Sequence, residues 1–475
     1  SFRSKPTFPD ATFECIDQTL KSAHSCFIEF SKKKDEQRAD FLRRIADNLE
    51  KHRNSVIETA EQETSLGLVR LEGECSRTIN QIRLFAKLAQ NEEWKQISTE
   101  VAEPNRTPIP KPEMYKANHP IGPVVVIGAC NFPLAISVVG TDTTSALAVG
   151  CPVVVKSHPR HAQTCQLLAD LVNQAKRESN MPDGCFQLVH GESHGVSTAL
   201  VSHPKTACVA FTGSLQGGQA LYKVANSRPT PIPFHAEMGS LNPVFGLPFA
   251  IKEKGDKLIR AYIDAVNLFA GQMCTKPGAL IILEKSFDEI LEQSLLDSVL
   301  KNESLPMLNS DVLQSYEKTS LDLAQSLEII AQSEVQSNNT KGKIRIFKTM
   351  AKDFLTRPEL KAEAFGPASI VIIARDFTEM LTVAESMEGS LTGSMLVSEN
   401  DKQEASALFP ILESKVGRIL WNGFPPGVVP GIATHHGGPW PATTDSRYTS
   451  IGIQGYKRFI RPICKQGFSD LRSVS

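Results

Sequence analysis

No C-x-x-C pair occurs among the ten cysteines of this 475-residue chain, which argues against a zinc knuckle and against a disulfide framework. Long apolar runs are missing as well. Val124-Val125-Val126-Ile127-Gly128 is typical of what there is, far short of the roughly 20 residues a membrane helix needs, so no span is expected. The formal net charge is only -1, so no long-range field favours nucleic acid, which is excluded as an expected partner. The opening stretch SFRSKPTFPDATFEC has no apolar h-region, so a cytoplasmic protein without a signal peptide is expected. There is no G-x-G-x-x-G loop, no internal repeat and no low-complexity tract.

What is present is a globular composition, 41% hydrophobic and 22% charged, in a chain longer than one core normally supports. Two domains or more are expected. Residues 35–60 place Leu42, Ile45, Leu49 and Val56 at helical spacing, so the chain opens with amphipathic helices. The proline-rich stretch Asn105 to Pro112 reads as an extended connector.

From about residue 119 short β-branched runs alternate with helical patterns. Strands are expected at 123–127, 152–155, 186–189, 207–211 and 232–236, with helices at 134–148, 161–177, 193–201 and 215–226 between them. Continuous apolar strands joined by helices mean a parallel sheet covered on both faces, a doubly wound α/β domain whose ligand crevice lies at the carboxyl ends of the strands. The alternation resumes after 242, with strands expected at 278–283, 369–373 and 393–398, so a second α/β domain is expected. Residues 334–343 read as an exposed polar loop.

Three segments carry chemistry: GACNFP (128–133), HAEMGS (235–240) and GQMCTKPG (271–278). Cys274 reads either as a nucleophile or as an ordinary buried cysteine. A free thiol has a pKa of about 8.5 and is mostly protonated near neutrality, so a nucleophile here needs activation. Gly271 suits a tight backbone that presents the thiol. Glu237 follows a strand and is either a salt-bridge partner or a base, the latter if burial raises its pKa toward neutrality. Asn131, at the head of a helical run, either caps the helix or donates to an oxyanion.

Together with FTGS (211–214), AEAFGP (362–367) and HGGPWPATT (436–444), these motifs, in this order, resemble the aldehyde dehydrogenase superfamily. CNFP, GQMCTKPG and HGGPWPATT most resemble a bacterial branch. It includes α-ketoglutarate semialdehyde dehydrogenases and the NADP-linked long-chain fatty aldehyde dehydrogenase of luminous bacteria.

The resemblance implies an NAD(P)+-dependent oxidation of an aldehyde to an acid through a thioester on Cys274. Asn131 and the Cys274 N–H would hold the oxyanion, and Glu237 would activate the hydrolytic water. It further implies that Glu363 and Phe365 hold the nicotinamide ribose and ring, Lys156 the adenine ribose, and Gly213, Ser214 and Gly218 the pyrophosphate. Three departures stand out. Cys130 replaces the usual Trp before the asparagine. Pro159 replaces a Glu that many NAD-specific members carry, which together with His158 and Arg160 favours NADP, with NAD possible. His436 replaces an aromatic residue and is either a group that polarises Cys274 or a hydrogen-bonded loop histidine, with His435 able to exchange roles with it.

The expected fold is therefore α/β: a Rossmann-type cofactor domain (1–101 and 121–241), an α/β catalytic domain (242–449) and a β-strand oligomerisation arm (102–120 and 450–475). Tyr456 to Ile463 reads as an edge strand that needs a second subunit, so a homodimer or higher homo-oligomer is expected. No metal is expected, because the spaced pairs His158/His161 and His190/His194 lack a third ligand. The substrate expected first is a long-chain aliphatic aldehyde in an apolar tunnel. A small semialdehyde such as α-ketoglutarate semialdehyde is the alternative, and its carboxylate would require an arginine or other donors at the pocket mouth. CoA acylation, a cofactor-free cysteine hydrolase and a catalytically silent homologue are the remaining rivals.

Overall fold

The computed structural model describes residues 8–334, 340–425 and 427–467. Half of the loop expected at 334–343, residues 335–339, lies outside them.

The amphipathic opening forms helices Phe13–Ser31, Asp35–Lys51, Arg53–Thr64 and Leu68–Gln90. Leu42, Ile45, Leu49 and Val56 all point into one buried cluster, each contributing roughly 1.5–3 kcal/mol of burial. That cluster also takes Val124, Val126, Val153 and Val155 of the first sheet and Leu168, Leu171, Val172 and Ala175 of helix Ala162–Glu178.

The first sheet has five parallel strands in the spatial order Phe186–Val189, Val153–Lys156, Val124–Ile127, Cys208–Thr212, Phe234–Glu237. Strand order reverses between Val124–Ile127 and Cys208–Thr212, so a crevice opens at their carboxyl ends. The second sheet has seven strands, ordered Glu328–Gln332, Arg345–Met350, Ala368–Ala374, Ala279–Leu283, Pro243–Gly246, Ser390–Leu396, Val416–Trp421. Only its outermost pair, Glu328–Gln332 with Arg345–Met350, is antiparallel. Glu237 ends a strand of the first sheet, whereas Asn242, Cys274, Glu363 and Gly389 each precede a strand of the second. The carboxyl edge of one sheet therefore faces the amino edge of the other, and the site lies between them.

Three local expectations differ from what is observed. The helix expected at 134–148 begins only at Thr141. Before it the backbone folds back, with Thr141 N–H donating to the Ala135 carbonyl, while the Leu134 and Ala135 N–H groups go to the Glu74 carboxylate at 2.8 Å each. The connector at 105–112 is a turn, closed by a bridge between Glu103 and Lys111, rather than an extended run. Tyr456 lies in a 3-10 helix, Ile453–Phe459, and the strand is Ile460–Gln466, running through the Arg461-Pro462 step. That strand pairs antiparallel with Met114–Pro120, which pairs in turn with Ser98–Glu100, so one of its edges is covered within the chain. Among the described residues no helix is long and apolar enough to cross a membrane.

Candidate active site

Cys274 follows three successive residues in the left-handed region, Phe269 (φ 52°), Ala270 (φ 56°) and Gly271 (φ 64°). For a non-glycine residue that conformation costs on the order of 1–3 kcal/mol. A Cβ on Gly271 would also collide with the Gly366 carbonyl, so this position requires glycine. The strained loop is tied down on both sides. Asn242 Nδ2 donates to the Cys274 carbonyl at 2.8 Å and to that of Lys276 at 3.0 Å. Buried Lys276 reaches across to the Ala364 and Ala368 carbonyls at 3.0 and 2.7 Å, fastening the loop to the segment that carries Glu363.

The Cys274 Sγ lies 3.3 Å from His436 Nε2, and the same nitrogen lies 2.9 Å from Glu237 Oε1. Ser450 Oγ donates to the other oxygen of Glu237. His436 is 2% exposed and Glu237 4%, so their contact is shielded from water, while Cys274 stays partly open. His436 N–H donates to Thr449 Oγ1 at 2.8 Å, which fixes the loop so that His436 and not His435 meets the thiol. The ligand atoms of Glu237, Cys274 and His436 lie within 4.8 Å of one another. A soft divalent cation tolerates such a trio, but here the three atoms are engaged with each other.

Burial, together with the Glu237 charge, pushes the Cys274 thiol well above its ordinary value. The resting sulfur is a neutral thiol. Burial acts upward on Glu237 as well, yet the His436 charge and hydrogen bonds from His436, Ser450 and Cys274 outweigh it and hold the carboxyl below its usual range. The condition set for Glu237 as a base, that burial raises its pKa toward neutrality, is not met in the resting site, because its neighbours are donors.

Asn131 is buried, and its Nδ2 donates to the Gln272 carbonyl at 3.2 Å, two residues before the nucleophile. Arg70 donates to the Asn131 carbonyl and stacks on Phe132 and Phe269, 4.9 and 4.1 Å from the ring centroids.

Of the residues matched to a dinucleotide, Lys156, Gly213, Ser214 and Gly218 lie along the carboxyl edge of the first sheet, and Glu363 and Phe365 face it from the segment before a strand of the second. Lys156 ends its strand, and burial lowers its pKa. Gly213 and Ser214 lead into helix Leu215–Asn226, whose first turn Ser214 caps by accepting from Gly217 N–H at 3.2 Å. A Cβ at Gly218 would strike the Met238 sulfur. Glu363 accepts from Ser240 N–H at 3.3 Å and lies against Gly239, two residues beyond Glu237. Burial raises Glu363, with Lys276 opposing. Phe365, partly exposed, is in the same segment. A backbone turn at a helix start, a lysine at a strand end and a carboxylate near the thiol fit a dinucleotide laid across this edge.

His158 Nδ1 accepts from Arg160 N–H at 3.2 Å, and the Arg160 guanidinium pairs with Glu192 at 3.1 Å and with Asp311. His158 stacks on His161 at 5.1 Å, and His190 bonds Gln166 at 2.8 Å. Sequence reasoning missed Ser450, Asn242, Lys276, Arg70 and Glu74. Lys276 lies within GQMCTKPG, where attention fell on the cysteine; the others are single polar residues outside any motif, and only the i, i+4 spacing of Arg70 and Glu74 on one helix face offered a signal.

The sequence matches the model of the aldehyde dehydrogenase family over residues 5–439. The chain belongs to this family. It is therefore an aldehyde oxidoreductase of the NAD(P)-dependent kind. It is similar to α-ketoglutaric semialdehyde dehydrogenase 2 of Azospirillum brasilense, 38% identical over 467 residues, 98% of this chain and 89% of that protein. The α-ketoglutaric semialdehyde dehydrogenase of Acinetobacter baylyi is 39% identical over 468 residues, 98% of this chain and 88% of that protein. Among solved structures, betaine aldehyde dehydrogenase of Staphylococcus aureus in complex with NAD+ shares the fold, with a TM-score of 0.79 at 20% identity, covering 97% of this chain and 91% of that one.

Proposed function

We propose that this aldehyde dehydrogenase oxidises a short, carboxylate-bearing semialdehyde of the α-ketoglutarate semialdehyde kind to the diacid. The observation that carries this reading is the near full-length similarity to two α-ketoglutaric semialdehyde dehydrogenases. It favours the semialdehyde over the long-chain aldehyde that the sequence motifs brought forward first.

In this reading Cys274 is the nucleophile, and the contacts around it supply its activation. The Nε2–H of His436 donates to Glu237 Oε1 at 2.9 Å and lies 3.3 Å from Sγ, where it steadies the developing thiolate, while Glu237, to which the thiol also bonds, takes the thiol proton. The thiolate attacks the aldehyde carbon, and the Asn131 amide with the Cys274 N–H donates to the resulting oxyanion. The bound dinucleotide supplies the hydride acceptor, held by Glu363, Phe365, Lys156 and the Gly213, Ser214 and Gly218 turn. A cavity beside Glu237, whose lining includes Arg77, Gln81, Thr212 and Ser450, gives its proton a way out. The freed carboxylate then takes a proton from the water that cleaves the thioester.

NADP+ is preferred in this account because position 159 is proline, so no carboxylate there repels a 2′-phosphate. Arg160 already holds Glu192 and Asp311 and would have to exchange one of them for the phosphate, so NAD+ is also accepted. The division into a cofactor domain, a catalytic domain and a strand arm follows the two sheets and the Met114–Pro120 and Ile460–Gln466 pair. Among the described residues the outer edge of Ile460–Gln466 is unpaired, and Val101 and Ile109, beyond the strand at the opposite edge of this sheet, are exposed, which supports at least a dimer.

The test compares initial rates of NAD(P)H formation with α-ketoglutarate semialdehyde and with decanal, each with NADP+ and NAD+. A higher kcat/KM for the semialdehyde is expected. A rate that instead climbs with aliphatic chain length overturns the proposal, and product formation that requires CoA points to the acylating rival.

A further inference from the structure

Arg418 lies in the strand Val416–Trp421, half-buried, and uses one of its nitrogens. Its Nη1 donates to the Gly427 carbonyl at 3.0 Å, whereas Nε and Nη2 are buried without a hydrogen-bond partner among the described residues. Those two nitrogens form one edge of the guanidinium, and their N–H bonds run parallel, matching the two oxygens of a carboxylate. The three fully buried arginines among the described residues each have an acid of their own: Arg38 has Asp35, Arg345 has Glu317 and Arg458 has Asp142. Arg418 pairs with no Asp or Glu among the described residues.

Its position ties this unpaired edge to the chemistry. Arg418 stands in register with Thr392 on the adjacent strand. Thr392 donates from both its N–H and its hydroxyl to Asn242 Oδ1 at 3.1 Å each, and Asn242 holds the Cys274 carbonyl at 2.8 Å. On the other side Gly417 lies so close to the Gly437 carbonyl that no Cβ would fit between them, and Gly437 follows His436. Arg418 thus borders both the nucleophile loop and the histidine loop. Burial draws its pKa down, and the nearby Cys274 acts the other way.

We propose that Arg418 receives the carboxylate of the substrate on its Nε–Nη2 edge and so holds a short semialdehyde with its aldehyde carbon at Cys274. The proposal rests on the semialdehyde reading and gives it a specificity-determining residue. A buried cationic fork also disfavours a purely aliphatic chain, which would leave these donors unpaired.

The experiment measures kcat/KM for α-ketoglutarate semialdehyde and for pentanal with wild type, Arg418→Gln and Arg418→Lys, together with inhibition by glutarate. Gln is expected to lower the preference for the acid over pentanal by roughly 10- to 150-fold, mostly through KM, as for loss of a charged hydrogen bond. Glutarate inhibition should weaken in parallel. Lys, which keeps the charge but not the fork, should restore part of the preference, and it carries the test if the Gln variant does not fold. An unchanged preference in a folded variant overturns the assignment of Arg418 and leaves the semialdehyde reading standing. A wild type that does not prefer the acid over pentanal ends both.

Discussion

Replacing Glu237 with glutamine is expected to make the resting thiol more reactive while slowing turnover. Glu237 and Cys274 present ligand atoms within 4.8 Å of each other, and the carboxylate charge is one of the causes that push the thiol up. At an effective dielectric constant near 20, two unit charges at that separation repel by about 3.5 kcal/mol. Water reaching the partly exposed sulfur screens some of this, so a gain of about 1.4–2.8 kcal/mol is the working magnitude, roughly ten- to a hundredfold in thiolate fraction. The sign is fixed by the charge: the thiolate of the variant no longer faces a carboxylate, so its pKa falls and alkylation rises at a given pH. The assay is the rate of iodoacetamide alkylation of Cys274 without cofactor, followed across neutral to alkaline pH. Wild type should inflect above the ordinary thiol range and Glu237→Gln below wild type. Equal or slower alkylation in the variant would refute the electrostatic argument and mean that Glu237 already acts as a base toward the resting thiol.

Other outcomes follow from single contacts. Asn131→Ala should lower kcat by about 10²- to 10³-fold with little change in KM, the usual cost of one oxyanion donor, as read by steady-state kinetics. Glu74→Ala removes the buried acceptor of two backbone N–H groups, so thermal or denaturant unfolding should show a loss of about 2–3 kcal/mol or more; a change within about 0.5 kcal/mol would mean the turn at 129–140 is held by other contacts. Arg160→Ala should reduce the NADP+ to NAD+ ratio of kcat/KM; an unchanged ratio would mean that the guanidinium serves only Glu192 and Asp311.

The parallel sheets were legible because their strands are continuous β-branched runs, as in Val124–Ile127 and Val153–Lys156, bounded by turn residues. Boundaries shifted where long-range contacts intervene. The late helix start at Thr141 reflects a carboxylate some 60 residues upstream that takes the Leu134 and Ala135 N–H groups, which no local pattern reveals. Cys274, Glu237 and Asn131 were legible through their motifs, and the choice of His436 over His435 needed the Thr449 contact. Arg418 and Ser450 were not legible: their roles depend on strand register and loop return, and an isolated arginine or serine in sequence has no periodicity to distinguish it. The pairing of Arg160 with Asp311 was likewise beyond any local pattern, since the two lie 151 positions apart.

The most direct test of the account follows NAD(P)H formation from α-ketoglutarate semialdehyde with wild type and with Cys274→Ala, both checked for correct folding. The account predicts steady production by wild type and none above background from the variant. Production that survives loss of the thiol, or a wild type that forms none with either NADP+ or NAD+, would contradict it.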